Sequence, residues 1–349
     1  MGASRRKAKS SKAKNLGPVH NASVTSIEVA KHAGVSQSTV ARVFARPELV
    51  SAATRQDVFR VAESLGYLPS AIAAGMRNQR SGLIGVVVPS YGEYWQGVIS
   101  EFSRQINNDS RQLLLTTFRD AQGVEGAIRS ISRYRLDGLV LASSTIGVGQ
   151  ISRLINSSMP VVAFNQPDAA NIAPQVVVDN QQGATDIAMH LIECGVKSVA
   201  FVGGIAEAST DKLRYRGAVE AFSAQGISCP YIQAGAFNYD AGFKIGAMAA
   251  VGNQLPDAFM VAADEIAFGV LDGLRKRGVR VPEDVLVTGF DGVPQSFWEG
   301  YDLTTLVQPI ELMVTGALNL FVEKNSADSV IVEGQLRIGN STKVRNNDG

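Results

Sequence analysis

With 349 residues, 45% hydrophobic and 19% charged, the chain can pack two or three domains around apolar cores and is too apolar to be a disordered protein. No apolar run approaches the roughly 18 residues of a membrane span, and the basic start is not followed by the apolar stretch of a signal peptide, so a cytoplasmic protein without membrane contact is expected. The formal net charge of +1 conceals a split: residues 1–80 carry 13 Lys and Arg against 4 Asp and Glu, whereas the remainder carries 20 against 28, so the front of the chain favours a polyanion as its partner.

The first segment, residues 1–22, holds Arg5, Arg6, Lys7, Lys9, Lys12 and Lys14 in Ser- and Gly-containing sequence without apolar periodicity, the pattern of a disordered basic tail. Such a tail either solubilises the chain or neutralises phosphates without sequence preference.

Residues 23–68 read as a helical headpiece. Ile27, Val29, Ala30 and Ala33 predict a first helix capped by Thr25 or Ser26, and a second helix starts after the capping Ser36. Ala30 is small where two helices would cross, Gly34 tolerates positive φ in the turn, and Val35 and Val40 close the angle, as a helix-turn-helix requires. An ordinary helical hairpin shares that packing but gives no reason for Gln37, Ser38 and Arg42 to share one outer face. Those three suit the reading of base edges from the start of a recognition helix. A third helix over Ala52 to Leu65 ends at Gly66. Residues 69–80, from Pro69 through Gly75 and Met76, have a Pro and Ser start followed by small residues and predict a short hinge helix or a plain linker.

The stretch Ser26 to Arg77, with GVSQSTVARVFARPELVSAATRQDVFRVAESLGYLPSAIAAGMR at its centre, resembles the headpiece of the lactose-repressor (LacI/GalR) family. The resemblance implies that Gln37, Ser38 and Arg42 read bases of double-stranded operator DNA, with Arg42 as a bidentate partner of guanine, while Ser36, Thr39 and Thr54, like Thr25, serve phosphate contact or capping. It also implies that Met76, standing where the family usually has Leu, wedges between base steps in the minor groove. Gly75 beside it disfavours helix by about 1 kcal/mol relative to Ala.

After Ser81 short apolar runs alternate with helix-length amphipathic segments, the sign of parallel sheets covered by helices. Strands are predicted at Leu83–Val88, Leu113–Phe118, Gly138–Leu141, Val161–Phe164, Val176–Val178, Val199–Val202, Ala258–Ala262 and Val285–Gly289. Such sheets bind ligands at the carboxyl ends of their strands. Tyr94, Trp95, Asn165, Gln166, Ser209, Thr210, Arg214, Phe237, Asp264, Asp291 and, soon after, Trp298 follow such ends, and together they suit a small polar effector such as a sugar. Taken singly the aromatic residues would be core, and the carboxylates helix caps or partners of Arg214.

The resemblance continues to about residue 342 through Val178-Asp179-Asn180, Arg214-Tyr215-Arg216-Gly217, Gly289-Phe290-Asp291 and Leu303 to Pro309. The fold class is therefore α/β, an all-α helix-turn-helix headpiece plus a two-lobed periplasmic-binding-protein-like domain with parallel sheets. It implies lobes at 81–180 with 309–327 and at 181–308 with 328–349, crossing near Asn180, Gln308 and Ala327. By the same likeness Arg214 and Asp291 hold polar groups of the effector, and Tyr94, Trp95 and Phe237 stack on its ring. Two departures stand out: Ser90 to Trp95 is short and lacks the family's Asn-Pro pair, and Ala263 stands where sugar-binding members often have Asn.

No GxSxG, HExxH or GxxxxGK[ST] occurs, His20, His32 and His190 form no spaced ligand set, and Cys194 and Cys229 have no CxxC spacing. Gly147-Val148-Gly149 lacks the third glycine of a dinucleotide loop. An enzyme, a metal and a cofactor are thus not expected. The rivals are a transport solute-binding protein, opposed by the helix-turn-helix and the missing signal peptide, and a DNA-binding regulator without an effector. The C-terminal residues show no heptad pattern for a tetramer, so a homodimer on a pseudo-palindromic operator is the expected assembly.

Overall fold

The computed structural model describes residues 24–67 and 81–343, apart from 91, 110, 120–122, 144–148, 150, 153–158, 171, 250, 252–254 and 322–328. The tail at 1–22, the hinge at 69–80 with Met76, and Ala327 lie outside the described residues. The chain divides into two units, Met1–Gln79 and Arg80–Gly349.

In the first unit, α1 (Ser26–His32), α2 (Gln37–Ala45) and α3 (Ala52–Leu65) each start on a hydroxyl cap. Thr25 and Glu28 form a reciprocal capping box, Ser36 accepts the Thr39 N–H, and Ser51 accepts the Thr54 N–H. Helices this short are marginal alone. They hold because Val29, Ala30, Val40, Val43, Val58, Val61 and Ala62 bury together. Gly34 at φ +65° makes the turn between α1 and α2, and Gly66 at φ +65° ends α3.

The second unit contains two six-stranded sheets. The first joins β1 (Leu83–Pro89), β2 (Gln112–Phe118), β3 (Gly138–Ala142), β4 (Val161–Phe164), β5 (Gln175–Val178) and β11 (Ser329–Val332), all parallel, in the order β11-β5-β4-β3-β1-β2. The second joins β6 (Val199–Gly203), β7 (Tyr231–Gln233), β8 (Ala258–Val261), β9 (Leu286–Asp291), β10 (Thr304–Val307) and β12 (Gln335–Arg337) in the order β12-β10-β9-β8-β6-β7, with only β12 antiparallel. Helices α4 (Glu93–Asn108) and α5 (Gly123–Ile131) belong to the first lobe, and α6 (Asn180–Glu193), α7 (Ser209–Ser223), α8 (Tyr239–Ala249) and α9 (Asp264–Lys276) to the second. The last helix, α10 (Ile310–Asn319), returns to pack on α4 and β5. One apolar cluster, with Phe102 and Phe164 from the first lobe and Phe201, Phe259 and Phe290 from the second, runs through both lobes.

The chain crosses between lobes at Asp179–Asn180, at Gln308–Pro309 and at Glu333–Gly334. The third position corrects the expectation of a crossing near Ala327: β11 still pairs in parallel with β5 of the first sheet, and only β12 joins the second. Residues 329–332 therefore belong to the first lobe. Four strands escape the apolar-run criterion. β7, β11 and β12 are short, half-exposed edges. β10 looks polar, yet Thr304 and Thr305 are buried because their hydroxyls donate to Gly339 O and Asp264 Oδ1.

Helices α8 and α9 meet backbone to backbone through Gly242 and Gly246 facing Gly269 and Gly273. A Cβ at Gly269 would lie 2.1 Å from the carbonyl oxygen of Tyr239. Gly269→Ala gains about 1 kcal/mol of helix propensity, but the clash outweighs it at about 1–3 kcal/mol. Thermal unfolding of this variant is expected at a lower Tm than the parent; an equal or higher Tm would show that the helix pair has room to spare.

Candidate DNA-reading face and effector cleft

In the headpiece, burial of Val40 and Val43 turns the opposite side of α2 outward, so Gln37, Ser38 and Arg42 are exposed. Arg42 has no hydrogen-bond partner among the described residues, which leaves a free five-donor guanidinium on that face. Gln37 donates to Ser26 Oγ at 3.0 Å. The hydroxyl of Ser36 hydrogen-bonds with those of Ser38 and Thr39, at 2.8 and 2.9 Å, and Thr54 pairs with Ser51 at 2.8 Å. Ser36, Thr39 and Thr54 are thus engaged in helix starts.

In the two-lobed unit the strand order reverses between β1 and β3 in one sheet and between β6 and β8 in the other, and the carboxyl ends flanking these points meet across a cleft. Of the eleven sequence-expected residues seven line it, Tyr94, Trp95, Asn165, Thr210, Arg214, Phe237 and Asp291, whereas Gln166 and Ser209 are not in its lining and hydrogen-bond to each other. Ser143, Ala263 and Glu265 line it as well.

Two expectations are corrected. Asp264 is fully buried behind the cleft, where Oδ1 accepts the Thr305 hydroxyl at 2.6 Å and Oδ2 the Val293 N–H at 2.9 Å. Gly289 makes room for that carboxylate, since a Cβ there would lie 2.2 Å from Asp264 Oδ1. Asp264 therefore ties β10 and the chain after β9 to the start of α9. Trp298 follows a 3-10 turn (Pro294–Phe297) and is 57% exposed, away from the cleft.

The polar centre is built around Arg214, 3% exposed. Its Nε donates to Asn180 Oδ1 at 2.8 Å, its Nη1 to the Ala262 carbonyl at 2.6 Å and to Asp291 Oδ1 at 3.3 Å, and its plane lies 3.7 Å over the Phe290 ring. Nη2 has no partner among the described residues. Asp291 sits at φ +128°, a conformation that L residues rarely adopt, and is held there by Arg214, by Gln308 Nε2 at 2.7 Å and by the backbone N–H of Asp264 at the start of α9. The Tyr94 hydroxyl donates to Gln308 Oε1 at 3.0 Å. Asn165, at φ +56°, is buried with its Oδ1 unpartnered.

Burial raises the Asp291 and Asp264 carboxyls above the usual range, and the neighbouring Asp291 charge raises Asp264 further, while Arg214 opposes the shift at Asp291. Glu265 is pushed up to about 7 by burial, with the charges of Asp291 and Glu93 adding to it. Contacts that join the lobes directly include Ser209 donating to Gln166 at 3.2 Å, the Glu93 N–H donating to Glu265 at 2.5 Å and the Tyr94 hydroxyl donating to Gln308. The strand-end rule points to Asp264, and Glu265, the next residue of α9, carries no sequence signal of its own. The register of the helix decides it, turning the first inward and the second to the cleft. Among the described residues no cluster of His, Cys, Asp and Glu is placed to hold a metal, and no helix is long and apolar enough to cross a membrane.

A family model described as bacterial regulatory proteins, lacI family, matches residues 27–70, and one described as a periplasmic binding protein-like domain matches residues 188–342. The catabolite control protein A of Priestia megaterium is 30% identical over 326 residues, covering 90% of this chain and 97% of that protein. The transcriptional repressor PurR of Haemophilus influenzae (strain PittEE) is 28% identical over 303 residues, 85% of this chain and 90% of that protein. Among solved structures, the lac repressor dimer bound to operator and the anti-inducer ONPF superimposes with a TM-score of 0.81 at 21% identity, over 92% of this chain and 100% of that one, a likeness of fold. The transcriptional regulator CelR in complex with cellobiose has a TM-score of 0.66 at 26% identity, over 91% of this chain and 99% of that one. The chain belongs to the lacI family of bacterial regulatory proteins: it is a DNA-binding transcriptional regulator and not an enzyme.

Proposed function

We propose that this regulator is a repressor that grips a pseudo-palindromic operator as a homodimer, and that a small sugar-like effector in the cleft sets its DNA affinity. The DNA half rests on the exposed Gln37, Ser38 and Arg42, the last with its guanidinium uncommitted. In this reading Ser36, Thr39 and Thr54 orient the helix starts against the phosphate backbone, and Met76 in the hinge at 69–80 is the minor-groove wedge.

One observation carries the ligand half. A buried Arg214 with a free Nη2 and a buried, unpartnered Asn165 oxygen line the same cleft as the rings of Trp95 and Phe237. Buried polar groups without partners are costly unless a ligand supplies them. The cleft encloses about 60 Å³, room for roughly four to six waters. The CelR–cellobiose complex supports a sugar as the ligand type. An effector shifts the repressor only through unequal affinity for two lobe arrangements, and a coupling of about 1–3 kcal/mol is ordinary. Whether it releases the operator or strengthens the grip depends on which arrangement it favours.

The dimer reading uses Trp298. It and its neighbour Phe297 are 57% and 48% exposed at the 3-10 turn after β9, two adjacent aromatic residues left facing outward. Exposed aromatic patches of this kind mark protein interfaces.

Arg42→Ala is expected to lower discrimination between operator and random DNA by about 1–3 kcal/mol in gel-shift titrations, leaving salt-sensitive nonspecific binding. Unchanged operator preference would remove Arg42 from base reading. In sedimentation equilibrium the paired change Phe297→Ser and Trp298→Ser is expected to weaken the dimer by at least about tenfold; an unchanged dimer would place the interface elsewhere.

A further inference from the structure

The cleft carries an imbalance of charge and of hydrogen-bond donors. Among the described residues that line it, one cation, Arg214, meets two carboxylates, Asp291 and Glu265. Arg214 is already committed to Asp291 at 3.3 Å. Glu265 has no cationic partner: its carboxylate accepts the Glu93 N–H, on Oε1, and the Tyr94 N–H, both at the start of α4, while the charged groups facing it, Glu93 and Asp291 at the end of β9, are both negative. Gly92, at φ +103°, lets the start of α4 come this close, because a Cβ there would lie 3.0 Å from Glu265 Oε1. Asn165 adds a buried acceptor with no donor.

The unpartnered Asn165 oxygen calls for a donor and the free Nη2 of Arg214 for an acceptor, and a sugar hydroxyl is both. An ionised carboxylate or phosphate supplies no donor and brings a charge of the same sign as Glu265. Beside a partly buried carboxylate that repulsion is stronger than between the same charges in bulk solution.

We propose that Glu265 sets the charge class of the effector: with the unpartnered oxygen of Asn165, it makes the cleft take a hydroxyl- or amine-rich sugar and exclude the same sugar bearing a carboxylate or phosphate. The inference rests on the sugar reading of the cleft. Because Glu265 also receives the Glu93 N–H from the opposite lobe, the selection acts in the arrangement that makes this contact, and an anion beside Glu265 would oppose that arrangement.

The test is calorimetric titration of the full-length protein with matched pairs: glucose and glucuronate, galactose and galacturonate, mannose and mannuronate, with glucosamine as the amine-bearing probe. At about pH 8, where Glu265 is ionised, at least one hexose or glucosamine binds tighter than its uronate by at least about tenfold. The ratio shrinks in Glu265→Gln. It also shrinks in the parent near pH 5.5, where Glu265 is protonated and the uronates, with an ordinary carboxyl pKa below about 4, keep their charge. The parent titration needs no variant to fold. A uronate that binds as tightly as its hexose, or a ratio unchanged by Glu265→Gln even where pH moves it through the raised Asp291 carboxyl, overturns the role of Glu265 and leaves the cleft a sugar site. Silence from every probe overturns the sugar reading and this inference with it.

Discussion

The two-lobed unit is organised around a buried ion pair, Arg214 with Asp291, whose side chains are 4% and 11% exposed. Removing two charges from water is costly, and such a pair persists only where further hydrogen bonds complete it. Here those bonds reach the crossovers. Arg214 binds Asn180 at the first crossing, Asp291 binds Gln308 at the second, and Gln308 accepts from Tyr94 of the first lobe. A ligand that touches Arg214 is one hydrogen bond from the first crossing, and one that touches Asp291 is one hydrogen bond from the second. Asp264, buried behind the pair, carries a second carboxylate that fixes β10 and the chain after β9, so the geometry of Asp291 is supported from the core. Its unusual φ is sustained by these contacts.

The headpiece is built on a different economy of parts. Its apolar core is seven residues, mostly Val and Ala, and its helices start on hydroxyls whose side chains are used up in capping. That division leaves Arg42 as the long, uncommitted donor on the outer side of α2, which concentrates base recognition in a few positions.

Much of this was legible in the sequence because the signals are local. The boundaries of α3 follow from Ala52, Leu65 and Gly66, the eight main strands from apolar runs, and the cleft from the rule that ligands meet strand ends. The misreadings have a common origin in contacts distant along the chain. Thr304 and Thr305 look polar, but partners at Gly339 and Asp264 allow them to be buried. Asp264 and Glu265 are adjacent carboxylates, and only the packing of α9 assigns one to the core and the other to the cleft. Trp298 follows a strand end by seven residues after Asp291, and the intervening 3-10 turn carries it to the surface. The third crossover was misplaced because β11 is a half-exposed edge strand with no apolar run to reveal which sheet it joins.

The central claim is that a ligand gripped by the Arg214–Asp291 pair changes DNA affinity. Its most direct test is operator binding by the full-length protein with and without a saturating concentration of the hexose or amino sugar that binds it best, in the parent and in Asp291→Asn. The account predicts that the sugar shifts parental operator affinity by about 5- to 150-fold in one direction and that Asp291→Asn abolishes the shift. Operator affinity indifferent to a sugar proven to be bound, or a full response in Asp291→Asn, would contradict it.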